Sequence, residues 1–503
     1  MSIIRLTCVL LLIACYTCPA HAQVLTWKKG QRDLRESLPL ELKQPRVWEV
    51  PVKLVLTPAA EPSPALKYRF EIPLDQRQPG NVESNVSLAI IMYLQNPLRS
   101  KLDRQYVEIA QALPEPDSGT VIPSEALRNQ VRDYLDSHAD VLKQLHYALR
   151  LDALDSNYAV SDMHGSDAHD ANVAIAQNHR ALAWLLQLEC SLAIAEGRFD
   201  DAVGALQSGY RLAEVALLGD HETVITQLVS LAIFGMISSE VQTIIQLPNT
   251  PNMYWALASV PQKELFSPRA AMERAMLENS RRLFPRSIKD IDQASESQSE
   301  IKLIELVANV QAASHGNHRE FVPPPGQNRL IAALAVAMLS DRARSEIKDA
   351  DAGNCQALLK WTTVSFQAAI EEAFKWSILP LELRLSRADL IDDWLASFQG
   401  VPDSPGGALA TLVLPAVQAF DSAVARNQRH HALLITLEAL RAYAAENSGA
   451  LPETLDNLTP LPAWPDTSTG KPFEYHRIDQ HHAVIHIEKS LGVPSEYHIE
   501  LRP

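Results

Sequence analysis

Apolar residues recur every three or four positions along most of this chain, the spacing that places them on one face of an α-helix. Pro123 precedes one such segment and Gly197 ends another, while Pro415 is expected to kink the last segment or start a new helix. The pattern predicts helices over residues 98–113, 124–151, 173–196, 199–217, 220–246, 267–284, 328–347, 352–378, 381–399 and 405–447. The predicted fold class is therefore mainly α, with a helical-hairpin body.

The two ends of the chain carry shorter, β-prone runs. Val47–Leu56 and Leu66–Ile72 lie near the N-terminus, and Phe473–Arg477 and His482–Ile487 lie near the C-terminus. We predict a small β-prone N-terminal element and a small α+β C-terminal module on either side of the helical body. The expected domains are a signal peptide at 1–22, an extended segment at 23–95, a helical domain at 96–426 and the C-terminal module at 427–503.

The C-terminal module shows its expected packing most clearly. Gly449 is placed to end its helix, and Gly470 is placed in a tight turn that requires a positive φ. One face of the helix carries four apolar residues at helical spacing: Leu433, Leu437, Leu440 and Ala444. These residues predict one helix packed on a small antiparallel sheet.

The N-terminal leader predicts export. A short basic start, an apolar run from Leu6 to Cys18 and a small-residue tail ending at Ala22 have the layout of a secretory signal, with cleavage before Gln23. A second interpretation stays open, because Leu12-Ile13-Ala14-Cys15 resembles a lipobox in which Cys15 is acylated. The protein is therefore expected in the periplasm or outside the cell, or as an envelope-anchored lipoprotein.

Hydropathy and charge argue against several classes of partner. The longest apolar run after the leader, Val224–Ile237, is interrupted by polar residues and predicts a buried core helix, so no transmembrane span is expected in the mature chain. The formal net charge is −15, and Lys and Arg form no cluster, which argues against nucleic acid and anionic lipid as partners. Cys190 and Cys355 are expected to form either one disulfide or two separate buried thiols.

Histidines are the first candidates for chemistry. His164, Asp167, His169 and Asp170 lie close together in the segment 163–170, where they offer ligands for a divalent metal. Their spacing matches no known zinc or two-metal pattern, so a solvated loop between helices is the preferred interpretation. The adjacent pairs His430-His431 and His481-His482 cannot chelate by themselves, because neighbouring side chains point in different directions. They are expected to be structural histidines at the surface.

Motifs for catalysis are not found in the sequence. It contains no convincing nucleophile elbow, Ser-x-x-Lys, phosphate-binding loop, dinucleotide-binding loop or His-Glu-x-x-His motif. Glu371-Glu372 and Asp392-Asp393 are expected to be solvated carboxylates on helices. The aromatic residues are expected to pack in the core: Trp361, Phe366, Phe374, Trp376, Trp394 and Phe398. We therefore assign no catalytic, cofactor-binding or metal-binding residue and expect no cofactor.

A helical hairpin in the middle of the chain has a familiar turn. The segment Ala195–Ala202 (AEGRFDDA) resembles the turn of a tetratricopeptide repeat, with Gly197 as the helix cap, Phe199 at the corner and Ala202 where the helices approach. The resemblance covers about one repeat, and no second copy follows at a fixed period. Two interpretations stay open: an ordinary αα-hairpin, or a repeat-like array that binds peptides or other proteins.

The C-terminal region carries a second resemblance. A helix ending near Tyr443, then Gly449-Ala450-Leu451-Pro452 and Thr469-Gly470-Lys471-Pro472-Phe473, resembles the globular region of type II secretion pseudopilins. No prepilin motif accompanies it, so the resemblance implies a fold module only. With Pro64–Phe70 and the helical middle, the whole chain resembles a family of uncharacterised secreted planctomycete proteins, which implies no activity, cofactor or site residue.

These observations favour a non-catalytic exported protein with a protein-interaction or scaffolding role at the cell envelope. A protein partner is expected, and its identity is left open. Two alternatives remain: a metal-dependent or other hydrolase, and an accessory of a secretion or pilus apparatus.

Overall fold

The structure is a computed structural model. It describes residue 51 onward in the ranges 51–97, 124–154, 165–218, 224–260, 292–299, 301–303, 355–379, 405–467, 469–487 and 496–502, with residues 105, 108, 109, 112 and 383. The predicted signal peptide and the helices predicted at 267–284, 328–347 and most of 381–399 and 98–113 lie outside the described residues.

Helices dominate the described chain. They are α1 (Val82–Gln95), α2 (Glu125–Asp136), α3 (Ala139–Leu149), α4 (Gly165–Ala195), α5 (Phe199–Leu218), α6 (Val224–Ile245), α7 (Tyr254–Ala258), α8 (Cys355–Phe374) and α9 (Pro405–Glu446). The strands are β1 (Val52–Leu56), β2 (Gln78–Asn81), β3 (Leu151–Ala153), β4 (Pro465–Asp466), β5 (Lys471–Pro472), β6 (Glu474–Arg477), β7 (His482–His486) and β8 (Glu496–Leu501). The mainly α fold with a small β element near the N-terminus and a C-terminal sheet is confirmed.

The middle of the body is a layer of three helices, α4, α5 and α6, that pack on one another. The turn between α4 and α5 has Gly197 at a φ of 71°, and the Arg198 and Gly197 amides donate to Ala193 O and Ile194 O. This pair of bonds is the Schellman motif that ends a helix. The αα-hairpin and the capping role of Gly197 are confirmed. At Gly209, an added Cβ would collide with Ile237, so the glycine lets α5 approach α6 closely.

Helix α6 lies at the centre of the protein. It packs against α4, α5 and α9, and its side chains at Ile233, Ile237 and Ile244 are fully buried. Within the described chain, Thr226–Ile245 is the one segment that is long and apolar enough to cross a membrane, and 78% of its most apolar window is buried inside the protein. This burial is what a core helix shows, as the sequence predicted.

The main sheet joins the two ends of the described chain. Its strand order is β1-β8-β7-β6, with β1 parallel to β8 and the other pairs antiparallel. The predicted antiparallel sheet is therefore a mixed one. The expectation of a second N-terminal strand at Leu66–Ile72 is wrong, because that segment forms turns and bends, and β1 takes the C-terminal strand as its partner.

Helix α9 carries the predicted apolar face. Leu433, Leu437, Leu440 and Ala444 are almost fully buried, in the same hydrophobic core as the inner residues of the sheet. The helix runs without a break past Pro415 and past residue 427, where the module was expected to start. It ends at Glu446, followed by positive φ angles at Ser448 and Gly449, and Gly470 has the expected positive φ of 67°.

Three boundaries differ from the prediction. The segment 124–151 is divided into α2 and α3 at His138, whose φ of −120° is not helical and whose ring lies beside that of Tyr134. Helix α1 lies inside the segment expected to be extended, where the Asn81 side chain caps it by accepting from the Ser84 amide. Helix α4 begins at Gly165, so residues 165–170 are helical and not a loop.

Candidate functional site

Three polar side chains form a hydrogen-bonded line where α3, α4 and α5 meet. His146 Nδ1 lies 2.8 Å from Ser208 Oγ, and His146 Nε2 lies 2.8 Å from Glu189 Oε2. Ser208 is buried, while His146 and Glu189 are partly exposed. A serine, a histidine and a carboxylate in this order are the elements of a nucleophilic triad. No short sequence motif indicates these three residues, because they lie on three separate helices.

The surroundings of Ser208 make it poorly suited to act as a nucleophile in acyl transfer. Acyl transfer needs backbone or side-chain donors aimed at the oxyanion beside the nucleophile. Ser208 lies in the middle of α5, where backbone amides bond to the preceding turn of the helix and point along its axis. With its hydroxyl also shielded from solvent, the arrangement is suited to joining three helices and poorly suited to attacking a substrate.

A buried carboxyl group lies between α4 and α6. Glu240 accepts hydrogen bonds from Gln187 Nε2 and Ser191 Oγ, each at 2.9 Å. Burial disfavours its charged form and raises its pKa to about 7. Cys190 lies nearby as a free, buried thiol whose pKa is raised well above its usual range by the same loss of solvent. Of the two alternatives left open, a disulfide with Cys355 or separate buried thiols, the structure has Cys190 as a free, buried thiol.

The prediction that His430 and His431 are surface histidines is wrong, because His431 is buried and His430 is partly buried. His431 is fully buried on α9, with Nε2 3.1 Å from Leu257 O and its ring beside those of Phe234 and Trp464. His430 Nε2 lies 2.9 Å from Gln242 Oε1 on α6. Burial lowers the pKa of His430 to about 4 and that of His431 to about 3. Neighbouring elements enclose α9 on several sides, which the local sequence pattern does not indicate.

Two to three turns further along α9, an ion pair is fully enclosed. Arg441 and Glu438 are both 0% exposed, and Arg441 Nη1 lies 2.9 Å from both carboxylate oxygens. The guanidinium also donates to Thr57 O, Thr250 O and Thr250 Oγ1. It thereby joins α9 to the segment after β1 and to the turn after α6. Desolvation raises the pKa of Glu438, and the charge of Arg441 opposes that rise.

The other candidates from the sequence are dispersed. His482 is exposed and bonds Asp479, His481 is half-buried, and Glu371 and Glu372 are exposed as expected. Phe366 is buried in the core as predicted. His164 and Asp392-Asp393 lie outside the described residues, as do Trp394 and Phe398. In the described part of the chain, no group of three His, Cys, Asp or Glu side chains is placed to hold a metal ion.

The outward face of α1 is apolar. Leu88 is 45% exposed, Ile91 47% and Leu94 38%, although the opposite face of the helix is buried. Tyr147, on the neighbouring helix α3, is 48% exposed. Single exposed apolar side chains are common, whereas several on one helix face are a candidate surface for contact with another molecule. We call Leu88, Ile91 and Leu94 the α1 stripe.

Comparison with protein-family models, with curated proteins and with solved structures gives no match for this chain. The tetratricopeptide-like turn and the pseudopilin-like module therefore stand as resemblances of short segments. The resemblance to secreted planctomycete proteins stays a prediction.

Proposed function

We propose that this is a non-catalytic interaction protein that binds a protein partner through the α1 stripe. The observation that carries the proposal is the exposure of three large apolar side chains on one helix whose opposite face is buried. Burying half-exposed Leu and Ile side chains contributes roughly 1 kcal/mol each to binding, so the stripe supplies roughly 3 kcal/mol, and further contacts with the partner supply the rest of the free energy of a specific contact.

The charge of the protein indicates the chemistry of the partner. A formal net charge of −15 attracts a basic surface and repels an acidic one. An apolar helix face on an acidic protein fits a partner segment with an apolar face flanked by Lys and Arg, such as a basic amphipathic helix. Anionic lipid is disfavoured by the same charge, so the partner proposed is a protein.

The two alternatives predict different outcomes. A hydrolase would draw on Ser208 and His146, and labelling of Ser208 by a fluorophosphonate probe would favour it. The burial of the Ser208 hydroxyl, and the bonding of the neighbouring backbone amides within α5, support the non-catalytic proposal instead. An accessory role in secretion would be favoured if the partner is a pilus or secretion component.

Site-specific photo-crosslinking in producing cells tests the proposal. A photoreactive residue at Ile91 or Leu88 should give one discrete adduct with another protein. The matched control is Ile478, an apolar residue at 68% exposure in the turn between β6 and β7, which should give none. Adducts of equal yield at all three positions, or adducts only at Ile478, would contradict the proposal. Adducts with a second copy of this chain would replace the proposed basic partner with self-association.

We also propose that the protein is exported to the cell envelope, on the basis of the predicted leader. If signal peptidase cleaves the leader, the intact mass should be that of a chain that begins at Gln23. An acylated mature protein beginning at Cys15, released from membranes by Cys15→Ser, would show that it is a lipoprotein instead. A mature protein that begins at Met1 would rule out both forms of export.

A further inference from the structure

The chain itself contains a segment with the chemistry that the α1 stripe requires of a partner. In residues 24–38, which lie outside the described residues, four apolar side chains recur at helical spacing: Val24, Trp27, Leu34 and Leu38. At the same spacing, basic side chains border that apolar face: Lys28, Arg32 and Arg35. Pro39 follows directly and ends the pattern, because a proline disfavours helical backbone at the residue before it. We call residues 24–38 the N-terminal segment.

The N-terminal segment has a net charge opposite in sign to that of the whole chain. Residues 24–38 hold four basic and two acidic side chains, a formal net charge of 4 − 2 = +2 in a chain of −15. The acidic residues Asp33 and Glu36 fall opposite the apolar face at helical spacing. The flank of the apolar face is therefore basic.

Carboxylates surround the C-terminal end of the α1 stripe. Asn96, which follows α1, donates from Nδ2 to Ser137 O at 3.3 Å, so this end of the helix lies against the turn between α2 and α3. Three exposed carboxylates lie around that turn: Asp133, Asp136 and Asp140. Exposed Lys143 offsets one of these charges, and Arg132 is paired with Glu196. The stripe thus ends beside a net acidic surface, which attracts a basic flank.

The connection to β1 is long enough for the N-terminal segment to reach α1. Residues 39–51 join the segment to β1, and 13 extended residues span at most roughly 40 Å. The buried residues of β1 and α1 belong to one hydrophobic core, and a compact chain of this length has a radius of gyration of about 23 Å. A flexible tether of this kind gives an effective concentration on the order of millimolar, so a weak contact is enough to cover the stripe.

We propose that the N-terminal segment covers the α1 stripe of its own chain and that the protein partner displaces it. The apolar face of the segment packs on the stripe, and its basic flank lies toward the turn between α2 and α3. This inference rests on the proposed function and adds its regulation, because the segment and the partner compete for the same apolar side chains. A tethered competitor excludes weak partners and yields to one that binds tightly.

Photo-crosslinking of the purified protein, with no other protein present, tests the inference. A photoreactive residue at Ile91 should cross-link to residues 24–38 of the same chain, which mass spectrometry of the digested protein identifies. Trp27→Ser combined with Leu34→Ser should lower the yield of this cross-link about tenfold, since two apolar side chains no longer leave water on docking. Leu25→Ser combined with Leu40→Ser is the matched control and should leave the yield unchanged, because neither residue shares the apolar face.

Three results would overturn the inference. The first is that no cross-link from Ile91 reaches residues 24–38, and the second is equal yields in the two double variants. The third uses a mixture of isotopically labelled and unlabelled protein. Cross-links that join a labelled peptide to an unlabelled one would show that the segment covers the stripe of another copy.

The same variants separate this inference from the proposed function. In producing cells, Trp27→Ser combined with Leu34→Ser should raise the yield of the partner adduct at Ile91, because the competitor is weakened. A partner adduct at Ile91 without an internal cross-link in the purified protein would overturn the inference and support the proposed function. An internal cross-link with no partner adduct, even in this double variant, would overturn the proposed function and support the covering of the stripe.

Discussion

Arg441→Met should lower the free energy of unfolding by about 3–5 kcal/mol, which is the usual cost of breaking a buried ion pair from one side. The substitution leaves the Glu438 carboxylate in the core without its counter-charge. It also removes the donors to Thr57 O and Thr250 O, which lie in two different segments of the chain. Urea denaturation followed by circular dichroism measures the change.

The exposed pair of Arg502 and Glu500 provides the control for Arg441. Arg502 is 61% exposed, and its pair is screened by solvent, so Arg502→Met should change the stability by no more than about 1 kcal/mol. Adding Glu438→Gln to Arg441→Met should restore part of the loss, since it removes the uncompensated charge. Equal costs for Arg441→Met and Arg502→Met would show that the enclosed pair does not stabilise the fold.

Acidification should destabilise the wild type through His431. Its pKa is about 3 in the folded protein against 6.5 in the unfolded chain, so its contribution is present above pH 6.5 and is lost as the pH falls toward 3. Between pH 7.5 and pH 4.5, His431 alone should remove about 3 kcal/mol. Glu240 acts in the opposite direction, because its raised pKa gives a contribution that is lost as the pH rises from 4.5 to about 7.

The variant His431→Gln isolates this effect. Glutamine keeps a donor for Leu257 O but does not titrate, while Glu240 and His430 remain in both proteins. The stability of the variant should therefore fall by about 3 kcal/mol less than that of the wild type over the same pH range. His482→Gln, at an exposed histidine, should follow the wild type. Parallel pH profiles for the wild type and His431→Gln would show that His431 is not buried in a neutral form.

Local patterns predicted the features that depend on neighbouring residues. The helix face of Leu433, Leu437, Leu440 and Ala444 follows from spacing alone, and the positive φ at Gly197 and Gly470 follows from the residue type in a turn. The burial of the run in α6 could also be predicted, because polar residues interrupt it at intervals that suit a core helix.

Features that depend on distant contacts could not be predicted in this way. The pairing of β1 with β8 joins the two ends of the described chain, so no local alternation indicates it. His431 is buried because α6, α7 and the segment around Trp464 surround α9, and its own sequence neighbours do not reveal them. The hydrogen-bonded group of His146, Ser208 and Glu189 could not be predicted for the same reason, because each residue comes from a different helix.

The interaction proposal is tested most directly by the dissociation constant between this protein and the purified partner that cross-linking identifies. Leu88→Ser combined with Ile91→Ser should weaken binding at least tenfold, because two apolar side chains no longer leave water on association. Ile478→Ser, the control at an apolar and more exposed position away from α1, should leave the dissociation constant unchanged. The proposal predicts this difference between the two variants. Equal dissociation constants for the wild type and the double α1 variant, with both proteins folded, would contradict it.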